Sequence, residues 1–87
     1  MVTDGLYKEA FVEIRYSKQA IKFLGKQEES IRIRIKHAIM KLPAGDVKKL
    51  VGQPYYRLRV GDFRVLFTRD GHIIQVSKID NRGQIYK

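Results

Sequence analysis

Three runs rich in β-branched and aromatic residues, joined by two short glycine-bearing turns, constrain this chain more than any other feature. Residues 55–60 and 63–67 flank Gly61-Asp62, and residues 63–69 and 72–79 flank Asp70-Gly71. A tight loop of this kind fixes hairpin register, because few backbone conformations can close it. With Gly61-Asp62 as the loop, Val60 lies opposite Phe63, Arg59 opposite Arg64, and Leu58 opposite Val65. Side chains alternate along a strand, so Arg57, Arg59 and Arg64 share one face. Directly opposed arginines destabilise a sheet by roughly a few tenths of a kcal/mol, which makes a bridging phosphate or acidic partner the economical explanation of the pair. Plain solvation is the alternative.

Asp70-Gly71 reads as a type I′ turn, which places Val65 opposite Val76, Phe67 opposite Ile74 and Arg64 opposite Ser77. One face of the resulting sheet carries Tyr56, Leu58, Val60, Phe63, Val65, Phe67, Ile74 and Val76, the expected core. The other carries Arg57, Arg59, Arg64, Leu66, Gln75 and Ser77, too basic to bury, and so open to water or lining a groove.

The N-terminal half supplies what covers the apolar face. In residues 7–16, Val12, Ile14 and Tyr16 alternate with Glu13 and Arg15, which predicts a first strand. Ser17 is a candidate N-cap for a helix with Ala20, Ile21 and Leu24 on one stripe and Gly25 as its stop. Residues 30–36 alternate isoleucine with basic residues as a strand would. The wider window favours a helix, since Ile31, Ile35, Ala38, Ile39 and Leu42 fall at helical spacing, Glu28 and Glu29 suit the positive end of the dipole, and Pro43 lies just past the last turn. Ile33 and Met40 fall on a second apolar line, available to a neighbouring helix or a partner. Residues 44–54 read as a loop or short extended segment carrying Lys48 and Lys49. The order β-α-α-β-β-β predicts an α+β two-layer sandwich, two N-terminal helices packed on a mainly antiparallel twisted sheet.

At 87 residues the chain supports a single domain over residues 1–87, with 1–5 expected to fray. With 18 Lys and Arg against 9 Asp and Glu, the formal net charge of +9 attracts phosphates or acidic proteins. No cysteine is present, which removes disulfides, thiolate metal sites and thiol nucleophiles and suits a reducing cytoplasm, the expected location. Lys8, Glu9, Glu13 and Arg15 interrupt the N-terminal apolar residues, so neither a signal peptide nor a membrane span is expected.

The sequence has no Gly-rich phosphate loop, HExxH, EF-hand pattern or Gly-x-Ser-x-Gly elbow. Asp62 and Asp70 suit turns and Glu28-Glu29 a helix start, so no metal site and no cofactor are expected. His37 and His72 read as surface histidines away from the arginine face. Fixed guanidinium groups remain, and these can stabilise charge developing on a phosphoryl group. In the C-terminal stretch, Arg82-Gly83 reads as a turn, Ile85 as a core plug, and Tyr86 as an interfacial aromatic or a stacking platform for a base.

The stretch KKLVGQPYYRLRVGDFRVLF together with the closing NRGQIYK resembles the RelE/ParE superfamily of toxin–antitoxin toxins. The resemblance rests on Leu50-x-Gly52, on the hairpin from Tyr56 to Arg64, and on the Arg82…Tyr86 pair. It implies either the RelE branch, endoribonucleases that cut mRNA in the ribosomal A site through 2′-hydroxyl attack, or the ParE branch, which poisons DNA gyrase. A non-catalytic RNA-binding domain is a third reading. On the RelE reading, Arg59, Arg64, Arg82 and Tyr86 form the catalytic set, and Arg57, Lys48, Lys49 and Lys78 contact RNA. The expected partners are a cognate antitoxin, forming a hetero-oligomer with the toxin, and the ribosome with its rRNA and mRNA. No membrane partner is implied.

Overall fold

The computed structural model describes residues 13–81, in which two helices lie across one face of a five-stranded mixed sheet. Chain order is β1 (Glu13–Tyr16), α1 (Lys18–Gly25), α2 (Glu29–Met40), β2 (Asp46–Lys49), β3 (Tyr56–Val60), β4 (Phe63–Asp70) and β5 (Ile73–Asn81). The sheet runs β1-β5-β4-β3-β2, with β1 parallel to β5 and every other pair antiparallel. This is the predicted α+β sandwich. The segment left open between loop and strand supplies β2, which pairs with β3. The expectations for residues 1–5, the first half of the first strand, Arg82, Ile85 and Tyr86 lie outside the described residues. Among the described residues, no helix is long and apolar enough to cross a membrane.

Helix α1 begins where predicted. The Ser17 hydroxyl accepts from the Ala20 N–H at 3.1 Å and donates to the Ser77 carbonyl at 2.8 Å, capping the helix and tying it to β5 in one residue. Its core stripe differs from the expectation in one position. Ala20 and Leu24 are buried, but Ile21 is 59% exposed, and Phe23 instead meets Phe63 edge-on with centroids 6.0 Å apart. In α2 the helical spacing prevails over the strand-like alternation, because Ile35 and Ile39 are fully buried while Ile31 and Ala38 pack at the margin. Arg32 donates to the Leu24 and Gln27 carbonyls and so ties α2 to the open end of α1.

The first hairpin has the register read from the sequence, with Val60 opposite Phe63, Arg59 opposite Arg64 and Leu58 opposite Val65. The second does not. Asp70 pairs with Ile73, so the loop is Gly71-His72 rather than Asp70-Gly71. The reason lies in backbone sterics: a type I′ loop there would force Asp70 to positive φ, whereas placing glycine first in the loop needs positive φ only at Gly71, which has φ 62°. Phe67 consequently faces Val76, not Ile74.

A bulge then shifts the ladder once more. Phe67 pairs with Val76 but Leu66 pairs with Lys78, leaving Ser77 as the extra residue on β5. One added residue inverts the alternation beyond it. Ile79 therefore joins Ile74 and Val76 in the core, fully buried, and Asp80 takes the position opposite Arg64 that an unbroken Gly71-His72 hairpin would give Ile79.

Past the end of β1, the edge of β5 is held by a side chain in place of a strand. The Gln19 amide donates to the Ile79 carbonyl and accepts from the Ile79 N–H, each at 2.9 Å. Replacing Gln19 with Ala removes both bonds beside a buried residue, and an unsatisfied backbone group costs about 1–3 kcal/mol. Gln19→Ala is expected to lower stability by about 2 kcal/mol, measured as a shift in urea midpoint at unchanged slope, with Gln19→Glu intermediate because it retains the acceptor.

Candidate functional site

The sheet face turned away from the helices is organised in rows that cross the strands. Next to the Gly61-Asp62 turn, the register sets Asp46, Arg59, Arg64 and Asp80 side by side across β2, β3, β4 and β5. The neighbouring row reads Lys48, Arg57, Leu66 and Lys78. Five basic residues thus occupy two adjacent rows with two carboxylates at the flanks. Nearer the Gly71-His72 turn the face loses its charge excess, since Thr68 pairs with Gln75 and Arg15 binds Glu13 at 2.7 Å.

The two carboxylates divide the arginines into two kinds. Arg64 Nη2 donates to Asp80 at 3.4 Å, and Arg57 Nη2 reaches diagonally to Asp46 at the same 3.4 Å. Side chains of Arg57 and Arg64 are 17% and 27% exposed, so both lie against the sheet with their stems covered. Arg59 is exposed, and among the described residues no carboxylate lies within ion-pair distance of it. The Arg59–Arg64 opposition inferred from the sequence is therefore real but partly offset from within, because Asp80 faces Arg64 on the other side.

Each ion pair is incomplete. The Nε of Arg57, the Nε of Arg64, the Asp80 Oδ1 and the Asn81 Oδ1 are buried without a hydrogen-bond partner among the described residues. A guanidinium offers five donors in a planar fork, and these pairs use one of them at long range. Those buried atoms are out of a ligand's reach, but the partly exposed remainder of each guanidinium faces solvent as a fixed cation, the arrangement that recognises phosphate or carboxylate oxygens.

The predicted site residues are distributed as follows. Arg57, Arg59, Arg64, Lys48 and Lys78 gather on this face by register. Lys49 lies on the other face, its ammonium 5.5 Å from the Tyr56 ring centroid and donating to the Gln53 carbonyl at 2.9 Å. Arg82 and Tyr86 lie outside the described residues, and Arg82 follows β5 directly in sequence. Sequence pattern alone does not single out Asp46 or Asp80 as partners of these arginines. Asp46 follows from strand parity once 46–49 is taken as a strand, whereas Asp80 depends on the Ser77 bulge, which no residue type nearby announces. On the helix side, burial pushes the Tyr16 phenol above its ordinary value, so it stays protonated at neutral pH.

No protein-family model matches the chain, and no curated protein sequence matches it significantly, but solved structures do. The RelB–RelE antitoxin–toxin complex from Methanococcus jannaschii contains a chain 31% identical, with a TM-score of 0.66, the match covering 83% of this chain and 94% of that one. The archaeal RelE–RelB complex from Pyrococcus horikoshii OT3 matches at 26% identity and a TM-score of 0.67, covering 83% and 96%. The intact RelBE complex of E. coli shares the fold at 19% identity and a TM-score of 0.66, covering 82% and 96%.

The two kinds of arginine are separable by stability. Arg59→Ala relieves like-charge opposition and is expected to leave stability unchanged or raise it by roughly a few tenths of a kcal/mol at low salt. Arg64→Ala strands the mostly buried Asp80 carboxylate and is expected to cost about 1–2 kcal/mol, with Asp80→Asn giving part of that back in the double variant; urea titrations of the three proteins measure this.

Proposed function

This chain belongs to the RelE-like toxins of the RelE/ParE superfamily, and on that premise we propose that it is the toxin of a type II toxin–antitoxin system, a ribosome-dependent endoribonuclease that cuts mRNA in the A site. The observation that carries the reading is the paired row of Arg59 and Arg64, two guanidinium groups side by side on an open sheet face, with Arg59 unmatched by any described carboxylate.

The chemistry follows from what those groups can and cannot do. In the reaction, the 2′-oxygen forms a bond to phosphorus while the bond to the 5′-oxygen breaks. The 2′-hydroxyl gives up a proton and the leaving 5′-oxygen gains one, leaving a cyclic phosphate and a 5′-hydroxyl. Extra negative charge gathers on the phosphoryl oxygens in between. Arg59 and Arg64 stabilise that charge without metal, and Arg82, which follows β5 two positions after Asp80, adds a third guanidinium on the family resemblance. Tyr86 orients or stacks on the substrate. Arg57, with Lys48 and Lys78 in the same row, holds neighbouring phosphates. Arginine does not act as a base near neutral pH, so the ribosome's role is to hold mRNA in line for attack, which lowers the demand on proton transfer.

The Methanococcus jannaschii chain was solved in an antitoxin–toxin complex, and the same partnership is proposed here. An acidic or amphipathic antitoxin segment would neutralise a toxin of net charge +9. Ile33 and Met40, 57% and 68% exposed on α2, offer it apolar contacts.

Primer extension on mRNA in a translation extract tests the activity. Wild-type protein is expected to produce A-site cuts, and Arg59→Ala, which preserves the fold, to reduce their rate by about 10²-fold or more while still sedimenting with ribosomes. Arg82→Ala should behave alike. Intact mRNA alongside lost gyrase supercoiling would assign the chain to the ParE mode of action, and equal losses of cutting and ribosome binding in Arg59→Ala would reduce the arginines to phosphate grips.

A further inference from the structure

The unmatched positive charge does not end at Arg59. The β2–β3 ladder begins at the Asp46–Arg59 pair, so Val60 and Gly61 extend past β2 and leave the edge of β3 open. Over this opening lies one flank of α2, and between them runs a groove of about 280 Å³ whose lining includes Arg34, His37, Lys41, Gly45, Arg59 and Val60. Arg34, His37 and Lys41 fall at i, i+3 and i+7, which sets them in a line along the helix.

Arg34 reaches the hairpin turn itself. A Cβ built at Gly61 would stand 2.7 Å from Arg34 Nη2, so the guanidinium lies directly against the backbone of the loop that joins Arg59 to Arg64. Among the described residues no carboxylate lies within ion-pair distance of Arg34, Lys41 or Arg59. Asp46, the acidic residue of the lining, is held by Arg57. The groove is thus concave and carries unpaired cations, and it shares Arg59 with the arginine row.

We propose that this groove is a second phosphate-binding subsite, which takes the backbone of a single-stranded RNA as it leaves Arg59 and carries it between α2 and the open edge of β3. The proposal rests on the reading that the arginine face binds RNA. A groove lined by unpaired cations tracks a single strand through its phosphates and is indifferent to base identity. Arg34 and Lys41 grip the backbone, and Gly61 is required as glycine in part because any side chain there displaces Arg34.

Uncleavable 2′-O-methyl RNA of three and nine nucleotides, titrated by fluorescence anisotropy over a salt series, separates this subsite from the arginine face. Wild-type protein is expected to bind the longer oligonucleotide more tightly. Arg34→Gln/Lys41→Gln, which keeps much of both side-chain stems, is expected to lose that gain, leave the trinucleotide affinity unchanged, and flatten the slope of log K against log salt by about 1.4, at about 0.7 per cation for single strands. Lys41→Glu alone should show the same loss of length gain, which guards against a folding defect in the double variant. An unchanged slope and length gain in the variants overturns the proposal. Retained RNA binding with lost binding of polyglutamate overturns it in favour of an acidic protein partner. A wild type that cuts mRNA and binds the trinucleotide but gains nothing from length overturns the groove alone; one that binds neither oligonucleotide overturns both the groove and the reading beneath it.

Discussion

The backbone of Ile79 is the point on which the rest of the structure depends. Its side chain is fully buried in the core, its N–H and carbonyl are both held by the Gln19 amide, and the next residue is the Asp80 that faces Arg64. Because the Ser77 bulge inverts the alternation of β5, this segment would bury Lys78 and expose Ile79 if the bulge were lost. Gln19 therefore does more than satisfy two backbone groups. It fixes the strand in the only register that places an apolar side chain in the core and a carboxylate beside the arginines, and through Ser17 and α1 it makes the helix layer part of that choice.

The ease of reading the two hairpins from the sequence differed for a physical reason. In the first, Gly61 comes first in its loop, and counting outward from Gly61-Asp62 gives every pair correctly up to Leu58–Val65. In the second, glycine follows aspartate, which resembles a type I′ signal, yet the chain again puts glycine in the first loop position and leaves Asp70 in the strand. Turn dipeptides rank the possibilities without excluding a shift of one residue. Helix α2 shows the opposite case, where a seven-residue strand pattern gives way to a longer helical one because Ile31, Ile35, Ala38, Ile39 and Leu42 bury one continuous stripe against the sheet. Ile21 failed as a core residue because a short helix meets the sheet over a narrow arc, and Phe23 filled the space beside Phe63.

The charged face was legible only to the extent that strand parity governs it. Arg57, Arg59 and Arg64 share a face because β3 and β4 are regular around their turn. Lys48 and Lys49 are neighbours in sequence and equally basic, but the four residues of β2 send one toward the arginines and the other onto Tyr56. That division could not be read while the segment stood between loop and strand. The partners of the arginines were further from view, since Asp46 acts diagonally across a strand pair and Asp80 arrives through an irregularity.

Those carboxylates explain how a surface can be strongly cationic and still ordered. A free arginine carries about 2 kcal/mol of rotamer entropy, which a ligand must overcome if the side chain is mobile before binding. Asp80 and Asp46 hold Arg64 and Arg57 against the sheet beforehand, each through one long contact, and among the described residues no other side chain pairs with either guanidinium. A tighter, bidentate pair would order the arginine equally well but would compete with an arriving phosphate for the same donors. The observed geometry lies between these limits: weak enough to yield donors, close enough to restrict rotamers. Arg59, by contrast, is exposed, and no carboxylate among the described residues lies within ion-pair distance of it. One exposed cation beside held ones suits the proposed role, in which the surface first attracts a polyanion at long range and then fixes a single phosphate, because steering depends on net charge while charge stabilisation depends on groups already in place.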